Sequence, residues 1–266
     1  MPLRQQAGYG LLPRVLAWGG LVLMLGCFIG LQLLPPRPRL GRGTMQPPDG
    51  SVRLVVIDAG HGGQDSGAMR EGVLEKDLTL DVARRLDQLV RVKGIRTLLT
   101  RSGDEFVSLA NRAARANEQA DCVFVSIHFD EGNRAAATGV NTYYAVHQAA
   151  RVPLRPAWLP FMQRVSAAPE NLESQSLAGF VQQALVAQTR AVDRGTRAEQ
   201  FYVIANVRHP AVLVEGGFLT NSDDLAKLRT EEYRQQLAAA ISEGIVRYRQ
   251  FTRDRAVAMN GYEPRA

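Results

Sequence analysis

Hydrophobic residues recur along this chain with two different periods, which alternate from residue 52 onwards. Short runs rich in Val, Ile and Leu predict strands at 52–58, 95–100, 122–127, 139–146, 201–204 and 211–214. Apolar residues spaced three or four apart predict helices at 75–91, 109–118 and 177–189, with a further one from Leu237 to Tyr248. This alternation is typical of α/β domains. We therefore expect a single domain with a mostly parallel twisted sheet of about six strands and helices on both faces.

The N-terminal region has a different pattern. Val15 to Leu34 is a run of 20 residues in which Gln32 is the only strongly polar member, and such a helix is long enough to cross the roughly 30 Å core of a bilayer. We predict an N-terminal membrane anchor or signal segment over residues 1–34. A cleaved signal peptide and lipid attachment at Cys27 are the alternatives to an anchor, although no A-x-A cleavage site follows the run.

Composition predicts the boundaries of the linker, the catalytic domain and the C-terminal tail. Residues 35–50 contain five prolines together with glycines and arginines, which predicts an extended linker. The catalytic domain is expected at 51–250, where 45% hydrophobic residues overall permit one well-buried core. Residues 251–266 are predicted to form a flexible C-terminal tail.

The charge of the chain argues against a nucleic-acid partner. The formal net charge is +6, but five arginines and one aspartate in residues 1–50 account for +4 of it. The remaining +2 is too small and too evenly distributed for the basic surface that nucleic-acid binding requires.

Histidines and glutamates stand where predicted strands end or a helix begins. His61 follows the first strand, His128 the strand at 122–127 and Glu215 the strand at 211–214, while Glu75 opens the first helix. The carboxyl ends of parallel strands meet at one edge of a sheet, so we expect these side chains to lie together. Two imidazoles and a carboxylate can hold zinc with one position open, and a second carboxylate can act as a base on water there.

Each of these residues also has a structural explanation when it is taken alone. Glu75 suits the positive end of a helix dipole, and a lone histidine in a turn is more often structural than a ligand. Asp58 either orients a ligating imidazole or caps the turn. Glu215 follows four apolar residues, where a charge is costly unless it is used or paired. His209, beside the last strand, either touches substrate or is a surface loop residue.

Several motifs occur in a characteristic order between Leu54 and Tyr248. They include Ile57-Asp58-Ala59-Gly60-His61-Gly62-Gly63, Glu75-Lys76-Asp77, Ser126-Ile127-His128, Gly139-Val140 with Tyr143, Phe201-Tyr202-Val203, and the segment 210–221 that contains Val214-Glu215-Gly216-Gly217-Phe218. In this order they resemble the zinc-dependent N-acetylmuramoyl-L-alanine amidases of amidase type 3, which cleave bacterial cell-wall peptidoglycan.

The resemblance implies a role for each matched residue. His61, Glu75 and His128 would bind Zn²⁺, and Glu215 would be catalytic in hydrolysing the amide between N-acetylmuramic acid and L-alanine. The chain departs from the family at Phe129-Asp130-Glu131, where small residues and an asparagine are usual, so Asp130 is a candidate for contact with substrate. A zinc peptidase acting on stem peptides and a non-catalytic cell-wall-binding module are the alternative functions.

The resemblance also implies a location and partners. Peptidoglycan lies outside the cytoplasmic membrane, so we expect a bacterial, extracytoplasmic protein that is attached to the membrane through its N-terminal segment. The stretch 147–176 is longer than a simple crossover needs, and some relatives carry there a helix that blocks the active site until an activator protein removes it. Autoinhibition through 147–176 is thus a hypothesis, with a variable loop or a substrate wall as alternatives.

Overall fold

The computed structural model describes residues 52–130, 136–148 and 171–260. Its strands are β1 (Leu54–Ala59), β2 (Met69–Arg70), β3 (Val73–Leu74), β4 (Arg96–Leu99), β5 (Cys122–Asp130), β6 (Val140–Tyr144), β7 (Asp193–Ala198) and β8 (Ala211–Phe218). Its helices are α1 (Glu75–Val92), α2 (Leu109–Asn117), α3 (Leu172–Thr189), α4 (Tyr202–Ala205), α5 (Ser222–Leu228) and α6 (Glu231–Asn260).

Six strands form one sheet in the order β4-β1-β5-β8-β6-β7. Strands β4, β1, β5 and β8 run parallel to one another. Strand β6 is antiparallel to β8 and parallel to β7 at the sheet edge, while β2 and β3 pair separately as a short antiparallel ladder. The prediction of a mostly parallel sheet of about six strands is confirmed.

Alternate residues of β1 pack on opposite faces of this sheet. Val55 and Ile57 belong to a core that includes residues of α1, α3 and α6. Leu54 and Val56 belong to a second core that includes residues of α2 and α4. Burying each such side chain stabilises the fold by about 1.5–3 kcal/mol relative to exposure. Helices therefore cover both faces, as the sequence predicts.

The strand predicted at 201–204 is wrong. Residues Tyr202–Ala205 form the short helix α4, in which the amides of Ile204 and Ala205 both donate to the carbonyl of Phe201. Four apolar residues in a row do not distinguish a strand from a helical turn. The sixth strand is instead β7, whose exposed and polar edge sequence carries no hydrophobic signal.

The C-terminal helix extends beyond the predicted domain end at residue 250. Helix α6 has 30 residues and runs to Asn260, through the first part of the predicted tail. Gln250 donates to Asp254 one turn later at 2.7 Å, and the ring of Phe251 lies 5.5 Å from that of Phe180 in α3. Local hydrogen bonding and this packing together continue the helix.

Three predicted features lie outside the described residues: the N-terminal segment 1–34, the linker 35–50 and most of the stretch 147–176. Within 52–130, 136–148 and 171–260, no helix combines the length and apolarity needed to span a membrane.

Candidate metal centre and active site

The sheet brings three of the four predicted residues to the carboxyl ends of neighbouring strands. His128 and Glu215 are register partners in the parallel strands β5 and β8, so their side chains emerge side by side on one face. His61 follows β1 in a turn that is fixed to β5 by a bond from the Gly60 amide to the Ile127 carbonyl at 3.1 Å. Glu75 reaches the same edge from the first residue of α1.

One oxygen of Glu75 is the centre of the cluster. Glu75 Oε1 lies 3.1 Å from Nε2 of His61 and 3.0 Å from Nδ1 of His128, and it accepts the Phe129 amide at 3.0 Å. The two imidazoles meet edge to face, with ring centroids 4.9 Å apart. One ligand atom from each of the three side chains lies within 4.8 Å of the others. His61, Glu75 and His128 therefore form a group that can bind a metal ion.

Glu75 is held in place by the loop before its helix. Its Oε2 accepts the Ala68 amide at 2.9 Å, and its own amide donates to the Ala68 carbonyl at 2.9 Å. Burial alone would raise the pKa of Glu75, but hydrogen bonding with His128 and His61 outweighs it and keeps the pKa well below its ordinary value. The side chain is thus an ionised carboxylate that faces the cluster, which the helix-dipole explanation does not require.

Asp65 orients His61, although its place in the turn after the first strand does not by itself predict this role. Its Oδ1 lies 2.9 Å from Nδ1 of His61 and accepts the Gly67 amide at 3.1 Å. Burial alone would lower the pKa of His61, but hydrogen bonding with Glu75 and then Asp65 outweighs it and raises the pKa. The available signal was a carboxylate four residues after His61 in a glycine-rich segment.

The glycines around the cluster make room for its rings. A Cβ added at Gly60 would lie 2.4 Å from Cε1 of His128, and one added at Gly67 would lie 2.5 Å from Oε2 of Glu75. His61 itself has a positive φ of 57°, an uncommon conformation for a residue with a side chain that is often found at functional sites. The strained backbone of this turn therefore directs the imidazole of His61 into the cluster.

Asp58 contacts neither imidazole directly in the described structure, in contrast to the predicted orienting role. It accepts from Thr100 at 2.6 Å, Arg112 at 2.8 Å and Ser126 at 2.7 Å. Arg112 in turn donates to the backbone carbonyl of His61 at 2.7 Å. Asp58 thus supports the backbone of the turn, because its position inside β1 directs its carboxylate towards α2 instead of the cluster.

Glu215 combines burial with an unsatisfied oxygen. Its Oε2 is buried and has no hydrogen-bond partner among the described residues. Burial raises the pKa of Glu215 well above its ordinary value, and the negative charges of Glu75 and Asp130 raise it further. A carboxyl group with these properties holds a proton more readily than an exposed carboxyl group does.

The two remaining candidates occupy different positions. Asp130 ends β5, where its backbone carbonyl accepts the Leu219 amide at 3.0 Å. Along with burial, the negative charge of Asp130 raises the pKa of Glu215. His209 is partly buried before β8, and its carbonyl accepts from Gln148 at 2.9 Å. His209 is not a member of the metal-binding group, so contact of either residue with substrate stays a prediction.

Comparison with known proteins places this site in a family. The sequence pattern of the N-acetylmuramoyl-L-alanine amidase family matches residues 55–247. The chain is 37% identical over 196 residues to the amidase LytC of Bacillus subtilis, covering 73% of this chain but only 35% of LytC. It is 31% identical over 225 residues to the amidase AmiA of Escherichia coli, covering 75% and 77% of the two chains.

A solved structure agrees with these sequence matches. The crystal structure of an N-acetylmuramoyl-L-alanine amidase from Clostridium difficile 630 superposes with a TM-score of 0.62 at 34% identity, covering 74% of this chain and 97% of that one. The family pattern at residues 55–247 spans most of the described region, including β5, β8 and all of β1 except its first residue. The chain therefore belongs to the N-acetylmuramoyl-L-alanine amidase family and is an amidase of peptidoglycan.

Proposed function

We propose that this amidase is zinc-dependent, with His61, Glu75 and His128 as the metal ligands and Glu215 as the catalytic base. The observation that carries the proposal is the convergence of the three possible ligand atoms within 4.8 Å. Beside them lies Glu215, the register partner of His128, which has one buried carboxylate oxygen.

The donor set fits zinc. Two imidazole nitrogens and one carboxylate oxygen are a common set of protein ligands at catalytic zinc sites, where the fourth position is left for water or substrate. Asp65 beside Nδ1 of His61 favours the tautomer that leaves Nε2 unprotonated, which is the state a metal requires. The small residues at positions 60 and 67 provide the space in which the rings and Glu75 approach one another.

Catalysis combines the chemistry of the ion with that of Glu215. Held by His61, Glu75 and His128, a zinc ion would supply Lewis acidity that polarises the substrate carbonyl and lowers the pKa of water towards about 7. Glu215 takes the proton from the attacking water and delivers it to the departing amine of L-alanine. Its burial and its acidic neighbours raise its pKa, which suits a group that must retain this proton between the two steps. Water is the nucleophile, so no covalent intermediate with the protein forms.

The substrate also determines where the enzyme works. The amide between N-acetylmuramic acid and L-alanine lies outside the cytoplasmic membrane, so we propose extracytoplasmic action, with residues 1–34 serving as membrane anchor or signal. An activator protein that acts on the stretch 147–176 stays a prediction, since residues 149–170 lie outside the described part of the chain.

Zinc analysis combined with product mass spectrometry tests the proposal. Wild-type protein should carry stoichiometric zinc and release intact stem peptides that begin with a free L-alanine amine from purified peptidoglycan. His61→Ala should lose both the metal and the activity. The exposed His147 lies outside the cluster, and His147→Ala should retain both. Full zinc content and turnover in His61→Ala would refute the ligand assignment, and products in which alanine stays on muramic acid would indicate a peptidase.

A further inference from the structure

Asn141 in β6 is a buried polar residue that the mechanism above does not use. It has no exposed surface, and neither Nδ2 nor Oδ1 of its side chain has a hydrogen-bond partner among the described residues. A buried amide that is left unsatisfied costs about 1–3 kcal/mol. Native proteins seldom retain such a group in their interior without a specific role.

The register of the sheet places this amide beside Glu215. Asn141 and Glu215 are directly opposite one another in the antiparallel pair β6 and β8, and the Cβ atoms of such partners lie about 4.5–5.5 Å apart on one face. On its other side, Glu215 is the register partner of His128. His128, Glu215 and Asn141 therefore form a row across three strands at the edge of the sheet that carries the active site.

The unsatisfied atoms of this row are complementary. Asn141 offers a donor, Nδ2, and Glu215 offers an acceptor, Oε2, and both atoms are buried without partners. The Glu215 side chain keeps part of its surface exposed, whereas Asn141 has none. Substrate can therefore approach Glu215 but not Asn141, and any effect of Asn141 on the reaction must pass through its neighbour.

We propose that Asn141 is a positioning residue for Glu215. Asn141 Nδ2 donates a hydrogen bond to the buried Oε2 of Glu215, either through one bridging water or after a small side-chain rotation. This bond fixes the plane of the carboxylate and leaves its other oxygen for the proton transfers of hydrolysis. Since the amide is neutral, it orients Glu215 without adding a formal charge beside it. The inference rests on the proposed role of Glu215 as the base.

The neighbours of Asn141 on β6 allow its effect on Glu215 to be separated from a general loss of packing in the strand. Thr142 points to the opposite face, where it donates to Gln182 at 2.9 Å. Burial raises the pKa of the Tyr143 phenol overall, although the interaction of this phenol with the Asn141 side chain acts to lower that pKa. Thr142→Val thus disturbs the same buried strand without touching the row, and it serves as the matched control.

The test compares three substitutions in the full-length, zinc-loaded protein, with a soluble muropeptide as substrate. Asn141→Leu keeps similar volume without a donor, Asn141→Asp keeps the shape but replaces the amide with an acid, and Asn141→Ser keeps a short donor. A misplaced catalytic group lowers turnover more than binding, so we expect kcat to fall by about 10-fold or more in the Leu and Asp variants, with KM and zinc content nearly unchanged. Asn141→Ser should retain more activity than either.

If Asn141 only fills space, the variants should rank differently in kcat. The Leu and Asp variants should then keep the kcat of the wild type, and any loss of activity should follow a fall in melting temperature, as measured alongside Thr142→Val. A kcat for Asn141→Leu within about twofold of wild type would overturn the inference. If Asn141→Leu does not fold, the Ser and Asp variants decide, and equal activities or a more active Asp variant would count against positioning. Failure of the proposed function would look different, because Glu215→Gln would then retain turnover.

Discussion

His61 Nδ1 lies 2.9 Å from Asp65 Oδ1, so the loop that follows β1 determines which ring nitrogen faces Glu75. The same oxygen accepts the Gly67 amide at 3.1 Å, which fixes the carboxylate to the backbone. On the other side of the ring, Nε2 lies 3.1 Å from Glu75 Oε1. An acceptor in this position holds a ligating imidazole in one tautomer and increases its basicity.

Asp65→Asn should weaken zinc binding while leaving the fold intact. The substitution keeps the shape of the side chain but removes the charge that supports His61, and the loss of such a partner typically lowers metal affinity by about 10–100-fold. A titration against a competing chelator measures this change. Asp77→Asn removes an exposed carboxylate from the first turn of α1 and should leave the affinity unchanged. Equal affinities in the two variants would contradict the role of Asp65.

Gly60→Ala should displace the ring of His128. The new Cβ would lie 2.4 Å from Cε1 and 2.6 Å from Nε2 of that ring, so the imidazole has to move. Displacement of a reactive group by about 1 Å can cost as much as 100-fold in rate, and we expect losses of this order in activity together with weaker zinc binding. Gly103 has no atom within 4 Å of an added Cβ, which makes Gly103→Ala the control. Wild-type activity in Gly60→Ala would show that the ring has room to move.

The structure brings the predicted residues to one edge of the sheet because their positions depend on topology. Strands β1, β5 and β8 are continuous apolar runs that can be recognised in the sequence, and parallel strands that lie side by side bring their carboxyl ends together. The positions of His61, His128 and Glu215 follow from this rule alone. Edge strand β7 was not recognised, because its side chains are mostly exposed and polar and it lacks the hydrophobic period of a buried strand.

The supporting residues could not be predicted in the same way. Asp65 reaches His61 only because the backbone has positive φ at His61, Gly62 and Gly63, and the period of the side chains does not specify such a turn. Asn141 faces Glu215 only through the register of an antiparallel pair. Turn conformation and strand register thus place these two residues, and hydrophobic periodicity specifies neither of them.

Glu215→Gln should separate catalysis from metal binding. The amide has nearly the same size as the carboxylate but cannot accept a proton, and loss of a general base lowers turnover by about 10²–10⁴-fold. The metal-binding group consists of His61, Glu75 and His128, so zinc content should stay at the wild-type level. Turnover and zinc analysis on one preparation test both statements. Loss of zinc together with activity would make Glu215 a ligand instead of a base.

Zinc should stabilise the protein more at high pH than at low pH. In the metal-free site, burial lowers the pKa of His61, but hydrogen bonds with Glu75 and Asp65 outweigh it, so the pKa in the folded protein is raised. The stability contributed by protonated His61 is therefore complete below the unfolded pKa of about 6.5 and is lost as pH rises through the folded pKa. Zinc requires the unprotonated ring, so it must displace this proton and binds more weakly as pH falls.

The melting temperature of zinc-loaded and chelator-treated protein measures this competition. Free zinc at about 1,000 times its dissociation constant stabilises the folded state by about 4 kcal/mol, and at about 100 times by about 2.7 kcal/mol. The gap between the two melting temperatures should thus be wider at about pH 8 than at about pH 6, the range in which histidine titrates. His61→Ala should show little gap at either pH because a ligand is missing. A gap of equal size at both pH values in the wild type would mean that zinc displaces no proton from His61.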